Sequence, residues 1–422
     1  MVSLFDHQTE ALKETADKNR VAYYHDMGLG KTFTGAEKMV QLGAKVNLVI
    51  CQKSKIQDWI DHFESNYPKI VIYDLTTKEL KLFINRYNYD LLCGLTIVGV
   101  INYELAFRRP QISQLKDFTL LLDESSLIQN ETAKRSKFIL NKLKPANVIL
   151  LSGTPTGGKY ENLWSQMRLL GWDISKTTYW NTFINYHYED MGGFPHKIID
   201  DYKNVERLKR KMREYGCHFL KTDEVMDLPA QIFTKVKVPA SKKYKKFKKD
   251  RVVEVDGTQL LGDNTLTKML YERQLCGQYS KDKLEAFKDL VESTNDRLIV
   301  FYNFTAELHA MVCGLFDRPV SIVNGNEKSL SNYDKYDNSI TFIQYQAGAM
   351  GLNLQKANKI IYFSPPLSSE LYEQSKKRIN RIGQDRTCYY YNLTVTGSVE
   401  ERIYKTLAMR KDFTEALFEE GE

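Results

Sequence analysis

A chain of 422 residues is long enough for two or three domains, each with its own core. With 42% hydrophobic and 27% charged residues the composition is globular, and no apolar run approaches the roughly 18 residues of a membrane span, which argues against an integral membrane protein. The net charge of +7 permits a polyanionic partner without requiring one, and six scattered cysteines with no C-x-x-C pair predict reduced thiols and no structural zinc. The opening MVSLFDHQTE lacks the basic and apolar regions of a signal peptide, so a cytoplasmic protein is expected.

In the first half, β-rich runs alternate with longer amphipathic segments: VAYYH (21–25), VNLVI (46–50), IVIY (70–73), LTIVGVI (95–101), FTLLLD (118–123) and NVILLS (147–152). Strands at that spacing predict parallel β/α crossovers buried on both faces. Residues 159–222 break the pattern and predict an inserted helical region. A second series follows, RLIVFY (297–302), VSIV (320–323), ITFIQY (340–345), KIIYFS (359–364) and CYYYNLTV (388–395). The predicted class is α/β: two doubly wound parallel-sheet lobes, 1–228 and 229–422, with a cleft between them. Between the series, TKVKVPASKKYKKFKKDR (234–251) holds nine Lys or Arg, read either as a solvated helix face or linker, or as a phosphate-backbone contact.

The stretch YYHDMGLGKT (23–32) runs from a strand into a helix. A loop containing Gly28 and Gly30 can turn successive backbone N–H groups on a phosphate, and the helix N-terminus adds positive potential. Lys31 would reach the β- and γ-phosphates and Thr32 would ligate Mg²⁺, although the strict phosphate-loop pattern demands glycine where this chain has His25; a surface turn is the alternative. In LLLDES (120–125), Asp123 and Glu124 end an apolar strand, where one carboxylate can hold Mg²⁺ and its neighbour can orient and deprotonate water. LLSGTPT (150–156) sets Ser152 and Thr154 at another strand end, placed to sense the γ-phosphate or the acidic pair, or simply to form a turn. In the second series, Gln374, Arg378 and Arg381 stand at i, i+4 and i+7, which predicts one helix face able to present two guanidinium groups to a nucleotide.

These motifs, in this order, resemble the superfamily 2 helicase-like ATPases and more narrowly those of the Swi/Snf type. The family's D-E-M-G-L-G-K-T loop is matched from Met27 through Gly28, Leu29, Gly30 and Lys31 to Thr32, and QSKKRINRIGQ (374–384) resembles Q-x-x-x-R-x-H-R-I-G-Q with Asn380 at the usual histidine. LFDHQ (4–8) resembles the adenine-reading motif, which implies Gln8 as the base contact. NLVICQKSKIQDWIDHF (47–63) and VINYELA (100–106) resemble the DNA-contacting segments, implying Ser54, Asn102 and Tyr103 as contacts and Trp59 as a packing residue. YQAGAMGLNL (345–354) resembles A-G-G-x-G-x-N-L, implying Gly351 in the nucleotide cleft and Asn353 on the DNA side.

The resemblance implies RecA-like lobes, ATP and Mg²⁺ as cofactors, and Arg378 and Arg381 as catalytic arginines, with Gln374, Ser152 and Thr154 coupling the site. It also implies a DNA-dependent ATPase that translocates along DNA, with duplex favoured and single strands as the alternative. An ATP-gated DNA-binding switch is the other reading. A monomer is expected, and a motor this compact would suit a bacterial or phage replicon.

Overall fold

The computed structural model describes residues 3–90, 95–190, 195–313, 317–348 and 352–418. The chain forms two compact units, one built on residues 1–226 and the other on 227–411. No helix among the described residues is long and apolar enough to cross a membrane.

The first unit begins with β1 (Arg20–His25), β2 (Val46–Cys51), β3 (Ile70–Asp74), β4 (Thr96–Asn102), β5 (Thr119–Asp123) and β6 (Asn147–Ser152). Next come β7 (Ile184–Asp190), β8 (Pro195–Tyr202) and β9 (Cys217–Leu220). Seven of them make a parallel sheet in the order β3-β4-β2-β5-β6-β1-β9. Side chains alternate across a strand, and these strands are apolar at odd and even positions alike. Ala22, Tyr24, Leu48, Ile50, Leu120 and Leu122 therefore enter one core, and Val21, Tyr23, Val49, Cys51, Leu121 and Ile149 another on the opposite face. Burial on both faces is what a doubly wound parallel sheet requires.

The expected helical insertion is corrected in part. Within 159–222, β7 and β8 form an antiparallel pair and β9 joins the main sheet beside β1. The pair hides little apolar surface, which is why its strands read poorly. The Lys197 ammonium lies 4.3 Å from the Tyr186 ring centre and 4.8 Å from that of Trp180, a cation–π contact on the strand surface. At four residues, β9 is too short to signal itself by periodicity.

The second unit contains β10 (Gln231–Val238), β11 (Val252–Val255), β12 (Thr258–Leu261), β13 (Leu298–Tyr302), β14 (Val320–Val323), β15 (Ile340–Gln344), β16 (Lys359–Tyr362) and β17 (Cys388–Val395). Six of them form a parallel sheet ordered β10-β17-β16-β13-β15-β14, and β11 pairs antiparallel with β12. Again the faces feed separate cores, one with Ile299, Phe301, Ile343 and Tyr362, the other with Leu298, Val300, Phe342 and Ile361. The lysine-rich stretch opens in an edge strand and continues as the expected helix, Lys242–Asp250: β10 pairs with β17 over eight residues from Gln231↔Cys388 to Val238↔Val395. Most of its side chains are exposed, so burial left no pattern to read.

Candidate nucleotide site

In the first unit the three strand-end motifs become neighbours because β5, β6 and β1 are adjacent and parallel, with Asp123 opposite Leu151 and Tyr24 opposite Ser152. Their carboxyl ends share one sheet rim, the place where open α/β sheets bind ligands.

The loop after β1 turns through Gly28 (φ 94°) and Gly30 (φ 70°) into the helix Lys31–Leu42. Both angles are left-handed and favour glycine. At Gly30 a side chain is also excluded, since a Cβ would stand 2.3 Å from Gln8 Nε2. The Gln8 amide donates to the carbonyls of Leu29 and Gly30 at 3.2 Å each, its Oε1 accepts the Phe5 N–H at 3.0 Å, and His7 Nε2 lies 3.2 Å from the Leu29 carbonyl. Gln8 thus holds the shape of the loop. Lys31 Nζ donates to the carbonyls of His25 (2.9 Å) and Asp26 (3.2 Å). Gly153 permits this arrangement, because a Cβ there would lie 3.1 Å from Met27 Cγ and 3.4 Å from Lys31 Nζ. Thr32 occupies the second position of the helix, beside Lys31.

The loop is braced from β9, an element without an obvious sequence signal. Asp26 Oδ2 accepts from the Thr222 backbone (3.1 Å) and hydroxyl (3.0 Å). The buried His25 ring meets His218 at 2.9 Å, and His218 reaches Glu14 at 3.3 Å. Burial, then the charges of His218 and Lys31, push the His25 pKa well down, so the ring is neutral at pH 7. The position that departs from the strict loop pattern is a core contact.

Asp123 ends β5, and Glu124 follows in the left-handed region (φ 54°). The Asp123 carboxylate accepts the Trp59 indole N–H at 2.9 Å, while the fully buried Tyr103 donates its hydroxyl to the Asp123 carbonyl at 2.9 Å. Burial raises the Asp123 pKa; the Trp59 hydrogen bond and the Lys31 charge oppose that rise. Thr154 is buried and its hydroxyl has no partner among the described residues, whereas buried Ser152 accepts the Thr154 N–H at 3.2 Å.

Three expected nucleic-acid contacts separate here. Ser54 is exposed at the turn Lys53–Lys55. Tyr103 is instead a core residue clamping the acidic pair, and Asn102 is 3% exposed with its amide on Glu104 at 3.0 Å, so both are buried rather than surface residues. Trp59, expected only to pack, touches the acidic pair directly.

In the second unit the predicted helix face is also corrected. The helix Ser369–Lys376 carries Gln374 but stops before the arginines, which lie in the following turns. The Arg378 carbonyl accepts the Leu354 N–H at 3.2 Å, and the Asn380 amide donates to the Pro229 carbonyl at 3.1 Å. Gln384 donates to the carbonyls of Ala357 (2.8 Å) and Gln355 (3.1 Å). These tertiary bonds replace helical ones. Arg378 is buried, and Gln374 is buried with its amide on Glu370 at 3.3 Å. Arg381 Nη1 donates to the exposed Asn353 Oδ1, and partial burial lowers its pKa. Gly351 lies outside the described residues.

No cluster of three or more His, Cys, Asp or Glu side chains forms a metal cage among the described residues. A hydroxyl and a carboxylate, Thr32 and Asp123, are the donor chemistry of an ion held largely by water and phosphate, as Mg²⁺ commonly is. The glycine cradle and the unpartnered Thr154 hydroxyl also fit a bound polyphosphate.

Residues 14–281 match the model of the SNF2-related domain, and residues 282–383 that of the helicase conserved C-terminal domain. The mouse SWI/SNF-related matrix-associated actin-dependent regulator of chromatin subfamily A member 1 is 23% identical over 443 residues, covering 94% of this chain and 41% of that protein. An uncharacterized ATP-dependent helicase of Mycoplasma genitalium, MG018, is 24% identical over 414 residues, covering 90% and 38%. The chain thus spans less than half the length of these relatives. The Sulfolobus solfataricus SWI2/SNF2 ATPase core, solved in complex with double-stranded DNA, aligns over 98% of this chain and 92% of its own at 19% identity and a TM-score of 0.48. With the SNF2-related model matched over more than half its length and the helicase C-terminal model directly after it, the chain belongs to the SNF2-related family of helicase-like ATPases.

Proposed function

We propose that the protein hydrolyses ATP with Mg²⁺ and uses the cycle to move along DNA, duplex in preference to single strands, acting as a cytoplasmic monomer. The observation that carries this reading is the gathering of the phosphate loop, the Asp123–Glu124 pair and the Ser152–Thr154 turn on one sheet rim.

Loop N–H groups and the helix N-terminus hold the phosphates, and Lys31 exchanges its contacts with the carbonyls of His25 and Asp26 for the β- and γ-phosphates. Mg²⁺, when bound, would supply charge neutralisation at the phosphates. Thr32 and Asp123 hold that ion, with Asp123 aimed by Trp59. Glu124 orients water and takes its proton, and the free Thr154 hydroxyl donates to the γ-phosphate. Arg378 and Arg381, carried by the second unit, supply further charge stabilisation to the nucleotide, with Gly351 as a nucleotide-binding residue and Gln374 coupling hydrolysis to the track. Gln8 reads the adenine through an amide that already fixes the loop. Ser54 and Asn353, both exposed, contact the DNA backbone, which carries no sequence code.

A Lys31→Ala or Glu124→Gln chain should fold normally and lose DNA-stimulated hydrolysis by about 10³-fold or more, the scale of a lost charge-stabilising group. Parental turnover in either would remove the catalytic assignment.

A further inference from the structure

The lysine-rich segment resolves into a short amphipathic helix, Lys242–Asp250, KKYKKFKKD. Its Ser241 cap accepts the Tyr244 N–H at 3.1 Å, Tyr244 and Phe247 are buried, and the Tyr244 hydroxyl takes the Val399 N–H at 2.9 Å. Those anchors fix which side faces out. At 100° per residue, Lys242, Lys245, Lys246 and Lys249 fall on the side opposite Tyr244 and Phe247, and all four are exposed. The flanking lysines are partnered: Lys243 lies 3.6 Å from Asp256, and Lys248 donates to the Gly397 carbonyl at 3.1 Å. The outward four make no side-chain hydrogen bond or ion pair with any described residue.

This arrangement works against the helix that carries it. Lys242 and Lys246, like Lys245 and Lys249, are like charges at i and i+4, and Lys242–Lys245 and Lys246–Lys249 repeat the repulsion at i and i+3. Lys242 and Lys243 also occupy the first turn, where the helix dipole disfavours cations. A purely solvated face would be better served by interspersed acids, but Asp250 at the end is the only one in the segment. Four cations on about two turns match the spacing of a phosphate backbone, which offers a negative charge every ~3.4 Å along a strand.

We propose that Lys242, Lys245, Lys246 and Lys249 form an accessory site for the nucleic-acid phosphate backbone on the second unit, separate from the motif residues. The proposal rests on the reading of DNA as the track. The site adds affinity and salt dependence without touching the hydrolytic groups.

The test uses the full chain with all four lysines changed to Gln, a substitution at exposed positions that removes repulsion and leaves the helix anchored. Affinity for a fluorescent 30-base-pair duplex is measured from 50 to 200 mM salt, together with hydrolysis in the absence of nucleic acid. The expected result is a fall in the slope of log affinity against log salt of about two to four, near 0.9 per lost phosphate contact, with at least tenfold weaker binding at 100 mM and unchanged basal hydrolysis. The four-fold Lys→Arg variant should retain the parental slope. If the parent binds duplex and the Gln variant shows the same slope, the lysines are a solvated face and this inference fails alone. If the parent binds no duplex, the DNA reading fails with it.

Discussion

Trp59 Nε1 donates to Asp123 Oδ2 at 2.9 Å, tying the helix Ile56–Asn66 to the end of β5. The indole fixes one carboxylate oxygen and favours the ionised form against burial, which pushes this carboxyl up. Trp59→Phe should therefore move the acid limb of the hydrolysis pH profile to higher pH and raise the Mg²⁺ concentration needed for half-maximal rate. Loss of the bond and of ring volume should destabilise the chain by about 1–3 kcal/mol. An unmoved acid limb would show that the contact is only packing.

The same burial has a stability consequence of opposite sense. Because the folded Asp123 carboxyl titrates above its unfolded value of about 3.9, its contribution is most favourable below that value and is lost as pH rises through the folded one. At pH 7 the ionised group opposes folding. Asp123→Asn, which retains an oxygen for Trp59, should melt at higher temperature than the parent at pH 7 while losing hydrolysis. Calorimetry showing a lower melting temperature would contradict this.

Gly30 is held by its backbone and by Gln8 together. With φ at 70° and a Cβ destined to lie 2.3 Å from Gln8 Nε2, Gly30→Ala should cost about 1–2 kcal/mol in backbone strain plus the clash. Adding Gln8→Ala removes the clash and leaves the strain, so the two changes should be non-additive in urea unfolding, with the double variant more stable than the sum predicts. Simple additivity would place the loop and Gln8 apart.

Acid should loosen the loop's brace. His25 and His218 have pKa values lowered chiefly by burial. A base with a depressed folded pKa contributes stability that is present above its unfolded value of about 6.5 and lost as pH falls through the folded one. The urea midpoint should fall between pH 7 and pH 5, and His25→Gln should flatten that fall. A midpoint independent of pH over this range would contradict the neutral His25–His218 contact.

Arg381 is positioned by Asn353 rather than by a helix. Arg381→Ala should lower kcat by about 10³-fold with little change in ATP affinity. Asn353→Ala should lower kcat by a smaller factor, through misplacement of the guanidinium. Equal losses in kcat and affinity for Arg381→Ala would make it a binding residue.

The strand-end motifs were legible because each is a contiguous run of apolar residues closing on polar ones, as in LLLDES and LLSGTPT. The two sheets were legible for the same reason. What was not legible depends on contacts between distant residues. Trp59 meets Asp123 across 64 positions and His25 meets His218 across 193, and β9 is too short to register. Spacing alone placed Gln374, Arg378 and Arg381 on one helix face, but the bonds from Leu354 to Arg378 and from Asn380 to Pro229 end the helix at Lys376. Tyr103 and Asn102 followed a motif's expected exposure, while a buried strand end decided their place.

Coupling of hydrolysis at this rim to duplex DNA is read from the steady-state ATPase rate of the full chain without nucleic acid and with single-stranded DNA, duplex DNA or RNA, at one salt concentration. The expected result is the largest stimulation with duplex, a smaller one with single strands, and abolition of both by Lys31→Ala. A rate unchanged by every nucleic acid, or one raised by RNA alone, would contradict it.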